Sequence, residues 1–262
     1  MTAATVPAPA MPEPGDVVAG RYRVERVLGE GGMGRVFEAH HLVLDQKVAL
    51  KVLFAEVASR PNVVERFLRE AKLTARLRSE HVARVMDAGT SETGLPFLVM
   101  ECLRGTDLMD LLRQGGRLPW RMVVDVTLQA LSAVAHAHAA GIVHRDLKPS
   151  NLFLATLEDG TTLVKVLDFG IFKSLGRQGD EVKTLTGQTL MGSPAYMSPE
   201  QIRDAKSVDP RSDLWSLGVV MHELMTAELP FRGQGVGELL AAVLEQDPPP
   251  LSTKVEGVPE AV

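Results

Sequence analysis

The residue pattern predicts an α+β fold in two lobes, the first rich in β-strands and the second rich in α-helices. Three observations carry this expectation. Up to Met100 the chain holds short β-branched and aromatic runs punctuated by glycine. From Leu108 onward, apolar residues recur at helical spacing. Between the two, residues 101–105 form a joint too short to be a linker between independent domains. A length of 262 residues suits one large domain or two lobes, since domains run to roughly 100–200 residues.

Taken in order, residues 1–20 are rich in Ala, Pro and Val and read as a flexible leader. Arg21 is the first basic residue, so a secretory signal would lack its charged start. Residues 21–28 and 35–39 read as strands flanking Gly29-Glu30-Gly31-Gly32-Met33-Gly34, a glycine-tipped hairpin. Residues 46–54 form a further strand. Over 61–79, Val64, Phe67, Leu68, Ala71 and Ala75 recur at helical spacing, and Pro61 suits a first helical turn. A strand over 97–100 leads to Gly105, and helices over 108–112 and 122–139 are the clearest that follow. The expected division is leader 1–20, first lobe 21–101 and second lobe 102–262. No internal repeat is evident.

Composition narrows the function classes. Apolar residues at 45% and charged residues at 23% match ordinary globular usage and exclude a disordered chain. Lys and Arg number 28 against 33 Asp and Glu, a net charge of -5, so no basic field attracts nucleic acid or anionic lipid. Apolar runs are interrupted well before bilayer-spanning length, so no membrane segment is expected in this chain. Cys102 is the single cysteine, which excludes an internal disulfide framework, fits a reducing interior and makes the cytoplasm the expected compartment. His136 and His138, two apart on an expected helix, point to different faces and read as structural residues rather than metal ligands.

The chemistry lies in four ordered motifs. Gly29, Gly31 and Gly34 satisfy G-x-G-x-x-G, which alone is weak, because dinucleotide-binding folds use the same letters between a strand and a helix. Here Arg35, Val36 and Phe37 continue as a strand, which makes the cluster a flap whose backbone N–H groups can approach phosphates. Val48-Ala49-Leu50-Lys51 ends an apolar strand on a lysine. Glu70 on the next helix can pair with it and present the ammonium to phosphate oxygens, and Glu65 competes for that place. Then come His144-Arg145-Asp146-Leu147-Lys148-Pro149-Ser150-Asn151 and Asp168-Phe169-Gly170.

In this order the motifs resemble the signature set of eukaryotic-like bacterial serine/threonine protein kinase catalytic domains. The resemblance runs from about Arg21 to the end of the chain. It includes the wording Arg21-Tyr22-Arg23-Val24, Gly31-Gly32-Met33-Gly34 and Tyr196-Met197-Ser198-Pro199-Glu200-Gln201. It implies the two-lobed kinase fold with ATP bound between the lobes and the γ-phosphoryl group passed to protein hydroxyls. Asp168 and Asn151 offer hard oxygen ligands for Mg2+, with Mn2+ as a substitute. Asp146 orients the incoming hydroxyl. Lys148 neutralises the γ-phosphate and marks the serine/threonine form of the loop, and Ser193 bridges the two where the family has threonine.

By the same resemblance the flap Leu28, Gly29, Glu30, Gly31, Gly32, Met33 and Gly34 covers the nucleotide, and adenine lies between Val36 and Ala49 on one side and Phe153 on the other. Met100 is the gatekeeper, the backbone at Glu101 and Leu103 meets the base, and Asp107 reaches the ribose. Asp213 steadies the catalytic loop. Arg145 is a cation that autophosphorylation at Thr184, Thr186 or Thr189 could neutralise, with a homodimer as the autophosphorylating species. The partners expected are therefore ATP, protein substrates and a second copy.

The competing reading is a truncated or non-catalytic kinase-like scaffold. The presence of Lys51, Asp146, Asn151 and Asp168 argues against loss of catalysis. The chain stops after a helix near 235–245, before the family's last helices and the arginine that would pair with Glu200. An incomplete second lobe is thus expected, with Leu217, Val220 and Leu224 lacking part of their cover and Leu251 and Val255 leading nowhere; the alternative is that Glu200 is solvated and residues 248–262 fold back as a makeshift lid.

Overall fold

The computed structural model describes residues 9–60, 62–169, 194–204 and 208–259. They divide into two compact units. The first runs up to Arg76 and includes Ala83–Leu103; the second comprises Leu77–Val82 and the chain from Arg104 onward.

The first unit is an antiparallel sheet in the order β1-β2-β3-β4-β6-β5, formed by β1 (Val17–Val18), β2 (Tyr22–Gly31), β3 (Gly34–His41), β4 (Gln46–Leu53), β5 (Val85–Thr90) and β6 (Pro96–Glu101). β1 lies inside the stretch whose composition reads as leader. Ala19 and Gly20 both take positive φ, 52° and 62°, and fold the chain back so that Val17 pairs with Arg23 and Val18 with Tyr22.

Register sorts the side chains, because directly opposed residues share a face and successive residues alternate. Phe37, Ala39, Val48, Leu50, Val52, Phe97 and Val99 meet on one face and form a buried core with Tyr22 and Val24. Val36 opposes Lys51 and Lys51 opposes Leu98, while Glu38 opposes Ala49 and Ala49 opposes Met100. The second face therefore carries Val36, Glu38, Ala49, Lys51, Leu98 and Met100.

A short helix, α1 (Ala55–Ala58), precedes α2 (Val63–Thr74), which buries Val63, Phe67, Ala71 and Thr74 and packs against β5. α2 ends five residues short of the span that periodicity predicts, because Leu77 belongs to the core of the other unit.

Gly34 is the tightest point of the hairpin. A Cβ there would sit 2.2 Å from Val52 O and 3.0 Å from Leu53 Cα. Gly34→Ala is expected to destabilise the protein by about 1–3 kcal/mol, the cost of forcing atoms into a packed site. Gly32→Ala, whose Cβ meets nothing within 4 Å, is expected to leave the denaturation midpoint nearly unchanged. Paired urea titrations check this contrast.

The second unit contains a three-stranded sheet, β7 (Gly105–Asp107), β8 (Leu152–Thr156) and β9 (Thr162–Val166), in that order. Gly105 sits at φ 140°, and a Cβ there would meet Leu154 O at 2.1 Å, so β7 can pair with β8 only through glycine at this point. The helices are α3 (Leu108–Gly115), α4 (Trp120–Ala139), α5 (Pro199–Arg203), α6 (Arg211–Thr226) and α7 (Val236–Glu245).

Val123, Val126, Ala130, Ala133, Val134 and Ala137 of α4 pack with Leu217, Val219, Val220 and Leu224 of α6 in one core. The expectation that α6 lacks part of its cover is thereby corrected in favour of the alternative in which the end of the chain folds back. Leu217, Val220 and Leu224 are 2%, 1% and 0% exposed, because α4 lies against them, Leu118 N–H donates to Leu224 O at 2.7 Å, and Leu251 and Val255 pack on the same core.

Candidate active site

The first unit supplies a flap and a buried cation. Gly31 opposes Gly34 across a two-residue turn, Gly32-Met33. At Gly29, Gly31 and Gly32 an added Cβ would meet nothing within 4 Å, so the flap's backbone is open to a ligand. One position back from the turn, Glu30 faces Arg35 in register. Arg35 Nε and Nη2 both donate to Glu30 Oε2, at 2.6 and 2.5 Å, and brace the two strands. Leu28, at the root of the flap, is exposed.

On the sheet's second face Ala49 and Lys51 are each 8% exposed. A lysine this buried requires a negative partner. On α2, Glu65 is exposed, whereas Glu70 falls beside the buried stripe of Phe67 and Ala71 with its Oε2 shut off from solvent. Burial thus distinguishes two glutamates that periodicity leaves equal.

Glu38, also nearly buried, accepts from Lys47 and Arg26, and the lysine bond holds its carboxyl below the usual carboxylate range. At the end of β6, Glu101 N–H donates to Arg84 O at 3.0 Å and Glu101 Oε1 accepts Arg84 N–H at 2.8 Å, which fixes the strand that carries Met100 toward Leu103.

The second unit supplies the acids. Asp213, 0% exposed at the start of α6, accepts from three donors: His144 N–H through Oδ2 and Arg145 N–H through Oδ1, each at 2.8 Å, and His138 Nε2 at 2.7 Å. The loop that follows is compact. Lys148 Nζ lies 3.0 Å from Asp146 Oδ2. Asn151 Nδ2 donates to Asp146 O at 2.7 Å and to Asp146 Oδ2 at 3.3 Å, which leaves Asn151 its amide oxygen as the acceptor for a cation.

Asn151 O accepts Leu167 N–H at 2.9 Å, placing the backbone of Asp168 one residue away. His144, fully buried, bridges these segments. Its Nδ1 accepts Asp146 N–H at 3.2 Å, so Nε2 carries the proton and donates to Leu167 O at 2.8 Å. The imidazole also packs on Phe169, with ring centroids 4.8 Å apart. Arg145 and Asp168 both sit at positive φ, 67° and 55°, conformations that side chains with a Cβ adopt at a cost and that cluster at functional sites.

Asp107 caps α3, its Oδ1 accepting Met109 N–H and Asp110 N–H at 3.0 and 2.9 Å. Phe153 lies on β8, opposite Asp107 and Lys165. His136 Nδ1 bonds Ser132 O on its own helix. Ser193, Thr184, Thr186 and Thr189 lie outside the described residues. Among the described residues no group of three His, Cys, Asp or Glu side chains is placed to hold a metal; Asn151 and Asp168 are the side chains here that could offer oxygens to a cation.

Two further contacts were not expected from the sequence, which pairs Glu200 only with an arginine of the family's last helices. Glu200 accepts from Ser212 Oγ. Against the upward push of burial, that hydroxyl and the helix backbone hold its carboxyl below the usual range. Tyr196 donates to Glu223 Oε2 at 2.6 Å inside the core, where burial pushes both groups upward. A carboxyl raised in the fold stabilises below its unfolded value of 4.5, and that contribution is lost as pH climbs through the raised value. Glu223→Gln is therefore expected to gain on the wild type as pH rises from 4.5 toward neutrality. Denaturant midpoints across that range would show the gap widening, and a constant offset would contradict it.

A glycine flap and a buried strand lysine in the first unit, and in the second a loop that clusters an aspartate, a lysine and an asparagine, are the features of the protein kinase class. The chain belongs to the protein kinase domain family, whose profile matches residues 22–255.

It is 42% identical over 236 residues to serine/threonine-protein kinase pkn3 of Myxococcus xanthus, covering 90% of this chain and 43% of that one. It is 38% identical over 244 residues to serine/threonine-protein kinase PknA of Mycobacterium tuberculosis, covering 92% and 54%. The chain thus spans about half the length of these relatives. The crystal structure of the M. tuberculosis PknI kinase domain superposes with a TM-score of 0.71 at 27% identity, covering 93% of this chain and 84% of that one. Among the described residues no helix is long and apolar enough to cross a membrane.

Proposed function

We propose that this chain is a serine/threonine protein kinase that transfers the γ-phosphoryl group of ATP to hydroxyls of protein substrates in the cytoplasm. The observation that carries the reading is the cluster of Asp146, Lys148 and Asn151, with Lys148 Nζ 3.0 Å and Asn151 Nδ2 3.3 Å from Asp146 Oδ2. Asp146 accepts the proton of the substrate hydroxyl as its oxygen bonds to the γ-phosphorus and the bond to the β-phosphate oxygen breaks. Lys148 offsets the charge on the transferring group. Asn151 and Asp168 would hold Mg2+, or Mn2+ in its place, which would supply charge neutralisation for the transferring group.

Lys51, paired with Glu70, steadies the phosphates beneath the flap 28–34. Val36, Ala49, Met100 and Phe153 shape the adenine site, the backbone of Glu101 and Leu103 meets the base, and Asp107 faces the ribose while capping α3. Ser193 bridges Asp146 and Lys148. Arg145 receives the phosphorylated form of Thr184, Thr186 or Thr189 after autophosphorylation within a homodimer.

Phosphoamino-acid analysis of a labelled reaction tests the substrate class. Label on phosphoserine or phosphothreonine is expected, and label confined to phosphotyrosine would refute it.

A further inference from the structure

The peptide bond that leads into Asp146 is gripped from both sides. Its N–H, on Asp146, donates to His144 Nδ1 at 3.2 Å, and its carbonyl, on Arg145, accepts from Gln201 Nε2 at 3.0 Å. The peptide before it is held through Arg145 N–H by Asp213 Oδ1 at 2.8 Å. Between these anchors Arg145 sits at φ 67°, a left-handed conformation that relaxes unless its surroundings hold it. His144 and Asp213 fix the N–H groups, and Gln201 holds the carbonyl.

Gln201 belongs to another segment and performs a second task there. It is the third residue of α5, where it forms a reciprocal capping box with Ser198. Gln201 N–H donates to Ser198 Oγ at 3.3 Å, and Ser198 N–H donates to Gln201 Oε1 at 3.0 Å. One side-chain amide thus uses its oxygen for the helix cap and its NH2 for the catalytic loop. The orientation is fixed, because a flipped amide would set donor against donor at Ser198 and acceptor against acceptor at Arg145.

We propose that Gln201 is a positioning residue for Asp146: by binding the Arg145 carbonyl it sets the plane of the 145–146 peptide and so the direction of the Asp146 carboxylate. The inference rests on Asp146 being the group that orients the substrate hydroxyl. It makes Gln201, at the start of α5, a part of the catalytic geometry, so that loss of its contact to the Arg145 carbonyl is felt as misorientation rather than as lost nucleotide binding.

The two tasks can be separated by substitution. Glutamate at this position keeps the capping box, since Glu serves as well as Gln there, but it turns an oxygen toward the Arg145 carbonyl. Gln201→Glu is expected to lower kcat roughly tenfold or more, the scale on which supporting contacts and small misplacements act. The KM for ATP and the melting temperature should stay near the wild type. Ser198→Ala is expected to do the reverse, lowering the melting temperature while leaving kcat close to the wild type.

Hydrogen exchange of the peptide covering 144–151 gives a readout independent of turnover and should quicken in Gln201→Glu. Wild-type kcat together with wild-type exchange in a folded Gln201→Glu would overturn the proposal, as would equal loss of kcat in Ser198→Ala. Quickened exchange in a chain whose wild type transfers no phosphate would leave the tie standing and remove the kinase reading instead.

Discussion

Asp146→Asn is expected to lower kcat by about 10²–10⁴-fold, the range in which a positioned general base contributes, with ATP affinity little changed. The asymmetry follows from the contacts. Asn151 Nδ2 donates to the main-chain oxygen of Asp146 at 2.7 Å, and His144 Nδ1 takes its N–H, so the loop backbone keeps its anchors when the carboxylate is replaced. What disappears is the charge facing Lys148 at 3.0 Å and the acceptor for the hydroxyl proton. An amide of the same shape cannot take a proton at neutral pH. Initial rates, with nucleotide binding measured by calorimetry on the same preparations, check both halves. Undiminished autophosphorylation in Asp146→Asn would contradict the assignment.

The second large effect is on stability. Asp213→Ala is expected to cost about 3–5 kcal/mol, the scale on which a buried charged partner is missed, out of a total of roughly 5–15 kcal/mol for a domain. Asp213 is 0% exposed and accepts from His144 N–H, Arg145 N–H and His138 Nε2. Its removal strands two backbone amides in a site that water does not reach, and each unsatisfied donor alone costs about 1–3 kcal/mol. Asp213→Asn is the milder change, because its oxygen can keep one amide while its NH2 opposes the other. Urea titrations should rank the wild type above Asn and Asn above Ala, and activity should fall in the same order because Arg145 leads into Asp146. An Ala variant with the wild-type midpoint would show that the loop holds itself.

Much of this was legible in the residues because the chemistry is local in sequence. The flap, the lysine strand and the two acidic loops each fall within a few consecutive positions, and the pattern places them on the elements where they are found. Contacts that join distant segments were not legible. Nothing in the letters ties His144 to Leu167, Gln201 to Arg145 or Tyr196 to Glu223, since each pairing depends on how loops return to one another.

The hairpin of β8 and β9 was missed for a related reason, its strands being only five residues each and paired in a small three-stranded sheet of their own. The choice between Glu65 and Glu70 needed the burial of α2, which depends on the sheet it packs against. The expectation that α6 lacks part of its cover failed because the order of helices in sequence does not decide whether α4 and the segment holding Leu251 and Val255 lie on the same core.

The central claim is phosphoryl transfer by this chain, and incubation with γ-labelled ATP and Mg2+ tests it most directly, wild type beside Asp168→Asn. Asp168 keeps its backbone place through Leu167, whose N–H is bound by Asn151 O and whose carbonyl is bound by His144, so the substitution removes the proposed metal ligand rather than the loop. The account predicts label on protein in the wild type and nearly none in Asp168→Asn. Equal incorporation by both, or none by a folded wild type that binds ATP, would contradict it.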